Sequence, residues 1–157
     1  MVTDTEILRP QARSAVHLSP RLRQHRRAVA RWALAQGRPL NIDAITIILA
    51  VREFEADTDG APFTRWTTQG LIGFLWGSAI SWCDSREIDV PPGLNESLWS
   101  YLSYLGAERE LASGSASLAA LREVLVETGG LSRSGRARVT RGARLATTWR
   151  LDHRRAQ

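Results

Sequence analysis

The chain has 157 residues and a formal net charge of +5, with arginine as its only basic residue besides histidine. That length bounds it to one domain, or one domain with tails, and a single cysteine, Cys83, excludes an intrachain disulfide. The longest apolar stretch, Leu71 to Cys83, falls short of the ~20 residues that span a bilayer.

The charge is sorted along the chain. Residues 1–38 hold eight Arg against Asp4 and Glu6, residues 39–130 five Arg against thirteen acids, and residues 131–157 eight Arg against Asp152. Two basic arms therefore flank an acidic, apolar middle. This layout points to an anionic partner gripped from both ends, with nucleic acid as the first candidate. Met1 to Pro10 carries acids and no apolar run, so it does not read as a secretory signal. A lone thiol beside Ile80 and Trp82 reads as buried and reduced, and the expected compartment is the cytoplasm.

In chain order, residues 1–18 read as a flexible segment. Ser19 followed by Pro20 is an N-cap with proline at the first helical position, and Gly37 with Pro39 closes a helix over 20–36. At 100° per residue, Leu22, Val29, Trp32 and Ala33 share one face of it. Arg23, Arg26, Arg27 and Arg31 fall opposite, with Leu34 the exception. Asn41 caps a second helix, Ile42 to about Glu55, apolar nearly all round and so central. The turn-rich Asp57 to Pro62 ends it.

Thr67 caps a third helix over about 68–82, and its Gly70, Gly73 and Gly77 form a candidate close-packing seam. Trp66, just before the cap, serves as a staple onto that helix. Asn95 caps a fourth helix to about Arg109, and a fifth runs from about Ser117 to Glu127. Beyond Gly129-Gly130, Leu145, Thr147, Trp149 and Leu151 alternate with Ala146, Thr148 and Arg150 as a strand does, and Arg141-Gly142 can turn it from a preceding strand. The fold expected is mainly α: a compact bundle of about five helices over 19–130. Residues 131–157 are an Arg-rich extension, either a winged-helix-like β-hairpin or a disordered basic tail.

No constellation announces a chemistry. Glu55 to Gly60 imitates the start of a calcium loop, but its twelfth position is Trp66 where a bidentate acid is needed. His17, His25 and His153 are far apart, lack ligand spacing and read as surface residues, so neither metal nor cofactor is expected. A helix-turn-helix centred on Gly77 would place Trp82 and Asp84 on the reading helix, and one continuous buried helix is favoured over it. Trp76, Trp82 and Trp99 sit among apolar residues and read as core.

The leading expectation is a non-catalytic, regulatory or accessory DNA-binding protein, DNA being favoured over RNA. Arg23, Arg26, Arg27, Arg31, Arg136, Arg138, Arg141, Arg144 and Arg150 would contact its phosphates. The alternative is an α-helical protein-interaction module, in which the acidic middle receives a basic partner or the arms of a second copy in a homodimer.

Overall fold

The computed structural model describes residues 11–138 of the chain, which fold as a helical bundle. Its elements are α1 (Ala12–Ala15), α2 (Pro20–Ala35), α3 (Ile42–Asp59), α4 (Thr68–Gly73), a π-helical segment (Phe74–Ser78), α5 (Ala79–Ser85), α6 (Leu94–Ala107) and α7 (Leu118–Glu127). Because α4, the π segment and α5 follow one another without a break, and α1 is a single four-residue turn, the bundle has five long helical rods among the described residues, the number expected.

Four rods begin at the polar residues whose side chains can satisfy a free backbone N–H. Ser19 Oγ accepts from Leu22 N at 3.3 Å, Asn41 Oδ1 from Ala44 N at 3.1 Å, Thr67 Oγ1 from Gly70 N at 3.0 Å and Ser117 Oγ from Ala120 N at 3.2 Å. Each such cap is worth about 1 kcal/mol. The fifth differs from expectation. Gly93, at φ +70°, sits at the cap of α6 without a side-chain bond, and Asn95 lies inside the helix. Its Nδ2 instead donates to the Gly129 carbonyl at 2.9 Å, tying the start of α6 to the end of α7.

α3 is the central rod, as its all-round apolar surface demands. Ile45, Ile47, Ile48 and Leu49 are fully buried, and α1, α2, α5 and α6 pack around it. Trp66 closes the core: its ring meets Phe74 at 5.7 Å and Tyr101 at 6.4 Å, both edge-on. Within the stretch 1–18, residues from Ala12 onward contribute Ala12 and Leu18 to this core. Arg13 forms a two-pronged pair with Asp43, Nε to Oδ1 at 3.0 Å and Nη2 to Oδ2 at 3.1 Å.

The Thr68–Ser85 rod departs from the expected buried helix. A π turn adds a residue per turn and rotates the side chains that follow it, and here Trp76 is 75% exposed and Ile80 is exposed as well. Trp76 is therefore not a core residue; Trp99 is, and Trp82 is half-buried. Among the described residues no atom lies within 4 Å of a Cβ built on Gly73 or Gly77, so no described helix packs against these two glycines of the seam.

After α7 the chain makes a tight turn. Leu131 and Ala137 form an isolated antiparallel bridge, Ser132 N donates to Arg136 O at 2.7 Å, and Arg138 N to Gly130 O at 3.1 Å. No strand occurs among the described residues, and the expected hairpin over 139–151 lies outside them. The turn is seated on the bundle through buried Leu131 and through Gly135, which lies flat on the Trp99 indole.

Candidate nucleic-acid interface and the adjoining cleft

Of the expected phosphate contacts, Arg23, Arg27 and Arg31 are exposed on α2. Spaced i, i+4, i+8, they form one stripe whose members rise by about 6 Å per step along the helix. The ion pairs among the described residues use Arg13, His25, Arg52 and Arg133, and none neutralises this stripe. Arg26 does not belong with them. It turns inward, half-buried, and its Nη1 donates to Thr46 Oγ1 at 2.8 Å, bracing α2 on α3. At 100° per residue Arg26 lies only about 20° from Ala33, on the flank of the apolar face and not opposite it, and from there a guanidinium reaches a buried hydroxyl.

Arg136 and Arg138 are exposed on the C-terminal turn, whereas Arg141, Arg144 and Arg150 lie outside the described residues. The turn meets the end of α2 through Arg38, whose Nη2 donates to the Ser134 carbonyl at 3.0 Å. Burial, then the charges of Arg136 and Arg122, push the Arg38 guanidinium below its ordinary pKa. Arg122 in turn lies over the Trp99 ring at 5.3 Å and donates to Ser103 Oγ at 3.0 Å. Three arginines thus crowd together where the first and last basic blocks of the sequence meet. No acid pairs with Arg38, Arg122 or Arg136 among the described residues; the nearby turn residue Arg133 is paired with Glu123 at 3.3 Å.

The other flank of α2 lines a cleft of about 440 Å³, formed with Phe63, Thr64, Tyr104 and Glu110. His25 stands at its inner wall and is not the surface residue expected. Its Nε2 is 3.1 Å from Tyr101 Oη, and its ring meets Phe63, Tyr101 and Tyr104 edge-on at 5.3, 5.6 and 5.7 Å. Burial pushes its pKa down, partly opposed by Glu110, whose Oε2 lies 4.0 Å from Nδ1. Tyr104, buried and hydrogen-bonded to Glu110, is pushed up to about 12. At the rim, the Arg21 guanidinium covers the Phe63 ring at 5.1 Å. The basic neighbours of His25 in sequence disguised it; its spacing of three residues from Leu22 and four from Val29, both buried on the apolar face of α2, was the available signal.

Other polar features have structural work. Arg52 is buried over Trp66 and donates to the Arg65 carbonyl at 2.9 Å, holding the 60–66 loop. Cys83 is buried, and burial raises its thiol pKa, which disfavours the reactive thiolate. No group of three metal-ligating side chains occurs among the described residues, and none of their helices is long and apolar enough to cross a membrane. The chain matches no known protein family, no curated protein and no solved structure.

Proposed function

We propose that this is a non-catalytic DNA-binding protein, a small regulatory or accessory factor working in the cytoplasm. Two observations carry the reading: the stripe Arg23, Arg27 and Arg31 on α2, which no acid pairs with among the described residues, and, just past the end of α2, the crowded Arg38, Arg122 and Arg136. Like charges held together in a half-buried setting repel one another, and an anion placed among them relieves that cost. A row of guanidiniums along a helix suits a phosphodiester backbone better than a single small anion. Arg138 and the arginines that follow it, Arg141, Arg144 and Arg150, extend the same grip, as a wing beside a docked helix does.

The test is fluorescence anisotropy of a labelled mixed-sequence duplex across several salt concentrations. Affinity should fall steeply with salt, because each neutralised phosphate releases counterions. Absence of binding at low salt rejects the reading.

A second reading rests on the exposed Trp76, Ile80 and Val90 beside the open Gly73 and Gly77. An apolar patch of this kind on an otherwise charged surface is a place where a second copy or another protein docks. Sedimentation at several salt concentrations separates the two: apolar association survives salt, whereas phosphate binding does not.

A further inference from the structure

We infer that the cleft between α2 and the end of α6 receives an unpaired base of the nucleic acid held by the arginine stripe, an inference that rests on the DNA-binding reading. Three observations carry it. The cleft, at about 440 Å³, lies within the range of small-molecule sites. Its apolar surface is aromatic, from Phe63 and Tyr104, while Gln24, His25, Thr64 and Glu110 converge on it as donors and acceptors. Flat rings with hydrogen-bonding edges are recognised by this combination: a π-face to stack on and polar groups at the rim.

The charge distribution narrows the occupant further. Arg21 already supplies the cation over Phe63, so an added amine would meet a like charge there. A carboxylate pushed inward would meet Glu110. A neutral heterocycle inside, with a phosphate left at the mouth, avoids both. The phosphate then falls on the stripe, because Gln24, which lines the cleft, is seven residues from Arg31 and three from Arg27. Seven residues bring Gln24 and Arg31 to within about 20° of one another around the helix axis. A paired base cannot enter, since its edge and faces are occupied within the stack.

The experiment uses the full chain with a labelled twelve-nucleotide single strand, the same sequence as a duplex, and the corresponding mononucleotides as competitors. Two variants alter the cleft and leave every arginine in place: Ala28→Phe fills it and Phe63→Leu removes its stacking face. Circular dichroism and a melting curve accompany each, so that a variant that loses its fold is set aside and the other decides. The single strand should bind about tenfold more tightly than the duplex, within the range expected for one stacked base. Each variant should erase that preference while duplex affinity stays within about twofold. Equal affinity for strand and duplex in the unaltered protein, or a preference that survives both variants, overturns the cleft assignment and leaves the arginine surface intact. Failure to bind either form overturns both readings. A mononucleotide that displaces the strand at equal concentration overturns the strand as the source of the base.

Discussion

The Arg38 guanidinium donates to the Ser134 carbonyl at 3.0 Å, joining two residues 96 positions apart. This bond seats the C-terminal turn at the end of α2, so two basic blocks remote in sequence become one surface. It also half-buries Arg38 near Arg136 and Arg122, and its pKa is lowered first by that burial and then by the two neighbouring charges.

Replacing Arg38 should therefore act more on binding than on stability. In Arg38→Gln the lost bond to a backbone carbonyl costs about 1 kcal/mol, and relief of repulsion offsets part of it. Urea unfolding should show a change below about 1 kcal/mol. In the salt titration with duplex DNA, the slope of log affinity against log salt should drop by about one phosphate equivalent or more. A slope equal to that of the unaltered protein would separate Arg38 from the interface.

The exposed stripe and the inward arginine of the same helix make a paired test. Each of Arg23→Gln, Arg27→Gln and Arg31→Gln should leave stability within about 0.5 kcal/mol and reduce the salt slope by about 0.9. Arg26→Gln should do the reverse. It removes a charged donor from buried Thr46, which keeps its own bond to the Ile42 carbonyl at 2.7 Å, so stability falls by about 1–2 kcal/mol while DNA affinity barely moves. Unfolding curves and anisotropy on the four single variants decide it.

That contrast shows how far sequence reaches. Helix starts were legible because capping depends on one residue and the amide three positions on, which is why Ser19, Asn41 and Thr67 cap where expected, and Ser117, read as the approximate start of the last helix, proves to be its cap. Asn95 was misplaced because a tertiary partner, the Gly129 carbonyl, claims its amide. Arginines on α2 could be assigned to a face, yet periodicity carries no information about Thr46 on a neighbouring helix. Nor could it show the contact of Arg38 with Ser134, which depends on how the C-terminal turn returns. The π turn at Phe74–Ser78 was equally hidden: Gly70, Gly73 and Gly77 read as a packing seam, whereas Gly73 and Gly77 face open space and Trp76 points outward.

Gly135 tests whether the turn must sit on Trp99. Its φ is +78°, and an added Cβ would come within 2.5 Å of the Trp99 ring. Backbone strain of about 1 kcal/mol then adds to overpacking of about 1–3 kcal/mol. Gly130, at φ +68° with nothing within 4 Å, provides the comparison, since it bears only the backbone cost. In denaturant titrations Gly135→Ala should lose at least about 1 kcal/mol more than Gly130→Ala. Equal losses would mean the turn does not rest on the indole.

His25 supplies the pH dependence. Burial lowers its pKa in the folded protein below the ordinary 6.5, so the unfolded chain binds the proton more readily. Stability contributed by the neutral ring is thus fully present above about pH 6.5 and declines as pH falls from there towards the folded value. The groups facing the ring bear on this directly: Glu110 opposes the shift, Arg21 reinforces it, and Tyr101 and Tyr104 remain neutral across the window. The melting temperature should therefore fall between pH 7.5 and 5.5, and His25→Gln should flatten that fall while lowering stability at pH 7.5. Asp43, whose pKa is held down chiefly by its hydrogen bond to Arg13, is fully ionised throughout that interval and adds nothing to the slope. Melting curves of both proteins at the two pH values are sufficient. A decline of the same size in the variant would assign the titration to another group.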